Sequence, residues 1–159
     1  MTGMSTQAPQ NSGALPLRRR GAAKPAPPVA RQGADHNARR MTEALKTIQD
    51  DIDSVSINGV LVATRDGLVL CGITRDIEDD GVAAMAAAAA GLASQFTSQA
   101  RVGSPKAVFF EGESGQVGVF GVDEDTLLVV LGERDTTMGM FNVRAKQALS
   151  LLQEALTTS

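Results

Sequence analysis

From about residue 38 to residue 156 the apolar residues fall into segments spaced for helix or for strand, in the order α-β-β-α-β-β-β-α. That order constrains the fold more than any composition figure, because each spacing assigns a buried face. A first helix is expected over about residues 38–52, with Asn37 as its N-cap. Met41, Leu45, Ile48 and Ile52 recur there at spacings of four, three and four, on one face. Two short strands follow, residues 60–63 and 68–71, and the Asp66-Gly67 pair between them marks a hairpin. Both are apolar on both faces, which suits a sheet covered on each side. A second helix is expected from Asp79 or Asp80, either of which can cap it, to about Gln99. Residues 107–111, 117–122 and 127–131 read as a three-strand meander with short polar turns. A last helix starts near Thr136 or Thr137 and runs to about Leu156. Its apolar stripe is Phe141, Ala145, Ala148, Leu149, Leu152 and Leu156. The assembled fold is α+β: a five-stranded antiparallel sheet with the first and last helices on one face and the middle helix on the other.

The middle helix is unusual. Met85, Ala89, Leu92 and Phe96 make its bulky stripe, expected to face the sheet, with Val82 and Ala93 at the edge. Ala84, Ala87, Ala88 and Gly91 form a small-residue side that lets another backbone come close. A helix with so few charges all round is expected to be buried on more than one side. Alanine's helix propensity alone accounts for the alanines, though not for Gly91.

Residues 1–36 read as a tail and 37–157 as the domain. The tail is rich in Gly, Ala, Pro, Gln and Ser, with Pro25-Ala26-Pro27-Pro28 favouring an extended conformation. It is basic: Arg18, Arg19, Arg20, Lys24, Arg31, Arg39 and Arg40 stand against Asp35 within residues 1–40, while the remainder is net acidic. Such an arm suits nucleic acid, anionic lipid, an acidic partner or its own domain, or is simply solvated. No secretory signal is readable, and the longest apolar stretch, residues 82–93, falls short of the ~20 residues of a membrane span. A single cysteine, Cys71 in an apolar run, suits a reducing compartment. The expected location is the cytoplasm.

Chemistry is sparse. There is one histidine, His36, and neither Trp nor Tyr. No nucleophile, base and orienting group come together in a motif. Gly115, Gly118 and Gly121 precede no helix and match no dinucleotide or phosphate loop. Asp79 and Asp80 are explained by capping, and the acidic runs lack EF-hand spacing. The expectation is a protein that is not an enzyme and holds no metal and no cofactor. The arm lacks aromatics for stacking on bases and the body would repel phosphates, so nucleic acid is not expected as a partner. What remains is a binding and regulatory module.

Residues 58–69 (Asn-Gly-Val-Leu-Val-Ala-Thr-Arg-Asp-Gly-Leu-Val), the alanine-rich second helix, residues 127–131 and the last helix opening around Met138-Gly139 together resemble the Roadblock family, the dynein light chain and MglB-like proteins. The similarity covers about residues 41–156 and suggests an actinobacterial-type member with a basic tail. It implies a homodimer made by pairing second helices and third strands, with Ala84, Ala87, Ala88 and Gly91 joined by Val108 and Phe110 at the interface. It also implies a composite surface offered to a Ras-like or MglA-like small GTPase, within a bacterial signalling complex whose other components can bring it to a membrane. An arginine finger would come from Arg65, Arg75, Arg101, Arg134 or Arg144, each of which also reads as an ordinary surface charge. The competing reading is a ligand sensor of the PAS or longin type, which needs an apolar pocket holding a few convergent polar groups.

Overall fold

A computed structural model describes residues 3, 28–51 and 57–157. Eight elements run in chain order: α1 (Pro28–Asp51), β1 (Ile57–Thr64), β2 (Val69–Ile73), α2 (Asp79–Gln99), β3 (Ala107–Gly112), β4 (Gly115–Gly121), β5 (Thr126–Glu133) and α3 (Met138–Thr157). All strand pairs are antiparallel, in the order β2-β1-β5-β4-β3. β2 and β3 are therefore the sheet's edges, and β5 its buried centre. The expected α-β-β-α-β-β-β-α order and the division of helices between the two faces both hold.

The larger core lies under α1 and α3. Met41, Ala44, Leu45 and Ile48 of α1 meet Phe141, Ala145, Ala148 and Leu152 of α3 over Val60, Val62, Leu128 and Val130. Both helical stripes are those the spacing predicts; Ile52 lies outside the described residues. Phe141 is fully buried because the sheet makes room for it: a Cβ at Gly132 would lie 2.5 Å from Phe141 Cδ2. Phe109 stands edge-on to both Phe120 and Phe141, at ring separations of 5.6 and 6.3 Å.

Three expectations about boundaries need correction. α1 begins at Pro28, so it enters the segment read as tail, and Asn37 sits inside the helix instead of capping it. Proline tolerates the first helical turn, where its missing N–H is no loss, and Ala30, Gln32 and Ala34 are adequate helix formers. Neither Asp79 nor Asp80 caps α2. Glu78 occupies the N-cap position without a side-chain bond, and the Asp79 carboxylate accepts from the Thr74 hydroxyl instead. Both aspartates still lie in the first turn, at the positive end of the helix dipole. Finally, β2 starts at Val69, leaving Leu68 exposed in the turn. Val62 pairs with Cys71 and Ala63 with Val69, so Leu70 is an extra residue that bulges from the β2 edge.

Cys71 is half-buried beside Thr42 of α1. Removal from water pushes its thiol up to about 11, against a smaller opposing effect of the Thr42 hydrogen bond. At pH 8 the thiolate is therefore scarce. Modification of Cys71 in the folded protein should be far slower than in denaturant and should accelerate through pH 9 to 11, which a maleimide time course at several pH values measures. The sign for stability follows: the folded state holds this proton more tightly, so Cys71's contribution is intact below about pH 9 and declines as pH rises toward 11.

Candidate interaction surface

The smaller core lies under α2, and it is built from small side chains. Ala83 and Ala86 are buried against Leu61, Ala63, Val119, Leu127 and Val129, with Val82, Ala90 and Val108 packed alongside. The helix can sit this low because of the hairpin turn that faces it. Gly67, at φ +89°, is so near α2 that a Cβ there would lie 3.2 Å from the Ala84 Cα. The turn itself is held by the Thr64 N–H donating to the Leu68 carbonyl at 2.8 Å and the Gly67 N–H donating to the Thr64 carbonyl at 3.0 Å.

The expected facing of α2 is thus reversed. Met85, Leu92 and Phe96 do not turn to the sheet; they are 72%, 65% and 71% exposed. The inward stripe is Ala83, Ala86 and Ala90, which has the same helical spacing as the bulky one. Side-chain size is the misleading signal: bulk argues for the core, whereas the short distance between helix and sheet admits only methyl groups. A stripe of alanines at spacings of three and four is the signal that could have shown it.

Between this ridge and the β3-β4-β5 half of the sheet runs a groove of about 480 Å³. The helix lines it with Met85, Ala86, Ala88, Ala89 and Leu92, and the sheet with Phe110, Val117, Val119, Val129 and Leu131. No polar side chain is among its lining residues. The residues that the sequence singled out divide here. Ala88 and Phe110 both line the groove. Val108 is half-buried beneath α2. Ala84 and Ala87 lie on the other flank, against Gly67. Gly91 faces open space, since a Cβ there meets nothing within 4 Å.

The arginines are differently placed. Arg65 donates through Nη2 and Nε to the Asp123 carbonyl at 2.9 and 3.2 Å, and its own N–H donates to the Asp125 carbonyl at 3.0 Å. It ties the β1–β2 turn to the β4–β5 turn. Arg101, just past the Ala100 C-cap of α2, is in a left-handed conformation, φ +57°. Arg144 reaches Gln147 at 3.4 Å along α3. Among the described residues no three His, Cys, Asp or Glu side chains form a metal-ligand set, and no helix is long and apolar enough to cross a membrane.

Comparison with known proteins agrees with this architecture. The Roadblock/LC7 domain family matches residues 45–132. Two uncharacterized proteins of Methanocaldococcus jannaschii are each 30% identical over 93 residues, which is 58% of this chain and 81% of theirs. Among solved structures, Myxococcus xanthus MglB superposes with a TM-score of 0.65 at 16% identity, over 75% of this chain and 89% of its own. The gliding protein MglB of Thermus thermophilus gives 0.65 at 18%, over 77% and 93%. A Roadblock/LC7 domain from Streptomyces avermitilis gives 0.62 at 19%, over 73% and 97%. At these identities the structures speak for the fold, and the family match speaks for descent: the chain belongs to the Roadblock/LC7 domain family.

Proposed function

We propose that the chain is a non-catalytic, homodimeric scaffold that regulates a Ras-like or MglA-like small GTPase in a bacterial signalling complex of the cytoplasm. The observation that carries the dimer is the groove on the α2 side of the open β3 edge. A second copy fits it on three grounds. The lining is wholly apolar, so no ligand with polar groups would be oriented there. Met85 and Leu92 border the groove they would help to fill in the partner, the self-complementarity that a two-fold axis requires. β3 is an edge strand, and pairing with its twin would satisfy the backbone groups it leaves open. The same lack of polar handles weighs against a PAS- or longin-type sensor.

The GTPase reading rests on the family resemblance, and the fold shared with MglB and with Myxococcus xanthus MglC, at a TM-score of 0.51, supports it. Assembly beyond a single chain has a parallel in an MglB structure described as having a tetrameric arrangement. We read the protein as a scaffold and not as a supplier of an arginine finger. Arg65, one of the five candidates, already has its guanidinium on the Asp123 carbonyl.

Light scattering tests the dimer. Wild-type protein should be dimeric at micromolar concentration. Leu92→Arg and Phe110→Arg should each raise the dissociation constant by on the order of 100-fold or more, because a two-fold axis places each charge in the interface twice. Gly91→Arg, at an open position, should do less. A monomeric wild type would sink the reading. The partner is tested by titrating the dimer against MglA-like and Ras-like GTPases of the same cell, loaded with GDP or a non-hydrolysable GTP analogue. Binding that differs between the two states is expected; none in either state defeats the proposal.

Core packing under α2 makes a separate prediction. Ala86→Leu puts three extra carbons between helix and sheet and should cost about 1–3 kcal/mol in urea unfolding. Ala88→Leu, on the groove side, should cost the isolated fold clearly less.

A further inference from the structure

The sheet carries two patches of complementary chemistry at its opposite ends. The first is a cleft of about 720 Å³ between α3 and the adjoining ends of β3 and β4. Ala107, Phe120 and Leu149 give it an apolar floor, and Arg65, Lys106 and Lys146 bring three cations to it. Lys146 and Leu149 are three residues apart on α3, so one helical face sets a charge beside an apolar side chain. Arg65 is held in place. Its Nε and Nη2 donate to the Asp123 carbonyl, and the missing Cβ of Gly121 makes the room, since an added one would lie 2.9 Å from Nη2. Residues 57–157 are net acidic, yet their only lysines, Lys106 and Lys146, both line this cleft. Two carboxylates line it as well. Asp123 is engaged in its own turn, where Oδ1 accepts from the Asp125 N–H at 2.8 Å. Glu124 is exposed.

The second patch is the β2–α2 loop. Arg75, Asp76, Ile77, Glu78 and Asp80 are all exposed there, so an isoleucine stands in water between carboxylates, with a cation just ahead of them. Asp79 is turned aside to the Thr74 hydroxyl. The two patches are far apart. Thr64 pairs with Thr126 and Ala107 with Phe120 at the cleft's end of the sheet. Ile73, which leads into the loop, pairs with Val60 and lies beside Ile57 toward the other end.

We propose that the loop Arg75 to Asp80 of one copy docks in the α3 cleft of a second copy, head to tail. Ile77 lies on the apolar floor, the carboxylates around it meet the three cations, and Arg75 meets Glu124. A free phosphate compound fits less well, because it would face Glu124 with no cation of its own to offer. The aromatic ring of the cleft, Phe120, is buried and presents no face for stacking a base. The two patches differ and sit at opposite ends, so the contact is heterologous and extends into rings or open chains. It uses neither the groove under α2 nor a GTPase, so its failure leaves the function proposed above untouched.

Sedimentation equilibrium on the full chain tests it. At about 0.05 M salt the average mass should climb with concentration past that of the basal oligomer. The dissociation constant should be on the order of 0.1–1 mM, since one apolar side chain and a few exposed ion pairs must offset the cost of association. At about 0.5 M salt, where the Debye length falls to ~4 Å, the climb should stop. Lys146→Glu and Glu78→Lys should each weaken the association about 5–10-fold, as each turns attraction into repulsion. Both changes in one chain should restore it, because the head-to-tail contact brings the altered residues of two copies together. Leu92→Arg, aimed at the other surface, should leave it intact. A mass that does not rise, a rise that persists at high salt, or a double variant that stays as weak as the single ones overturns the proposal.

Discussion

A helix that rests on a sheet through methyl groups leaves no room beneath it for larger side chains, and much of this molecule follows from that closeness. Ala83 and Ala86 fix the distance from α2 to the sheet, Gly67 lets the facing turn approach to match it, and Met85, Leu92 and Phe96 are turned outward. Burying side chains of that size is worth about 1.5–3 kcal/mol each. Three of them approach the ~5–15 kcal/mol that holds a whole domain together. A chain that keeps them in water forgoes a stabilisation comparable to its own folding energy, which is the thermodynamic reason to expect a companion at this face.

The two sides of the sheet are thereby given different work. Under α1 and α3 the large residues point inward, and Phe141 is seated where Gly118 and Gly132 leave the sheet bare of side chains. That face is a conventional core. Under α2 the core is thin. Its residues come from β1, β4 and β5, and Arg65 fastens two turns of that sheet to each other. Its guanidinium holds the β1–β2 turn to the β4–β5 turn through the Asp123 carbonyl.

Most of the architecture was legible because periodicity reports burial directly. The stripes of Met41, Leu45 and Ile48 and of Phe141, Ala145, Ala148 and Leu152 are buried as their spacing says. The Asp66-Gly67 turn falls where it should, with Gly67 in the left-handed region. What sequence could not supply was the distance between layers. In α2 two stripes share one period, and only the sheet's proximity decides which of them is inside. The N-terminal end of α1 was illegible for a related reason: no apolar stripe marks it in the sequence. The facing of α2 was therefore misjudged: Met85, Leu92 and Phe96, expected against the sheet, are exposed, and Ala83 and Ala86 are buried in their stead.

The two edges of the sheet are not equivalent. β3 presents six residues in unbroken register, each paired inward with β4. β2 is interrupted at Leu70, where one residue has no counterpart on β1 and the strand turns out of line. A sheet with two regular edges can add copies of itself indefinitely, as amyloid does. With one edge regular and the other broken, only β3 has the even row of backbone groups that a further strand could extend. The irregularity at Leu70 is a blunted edge of the kind that keeps a sheet from growing sideways.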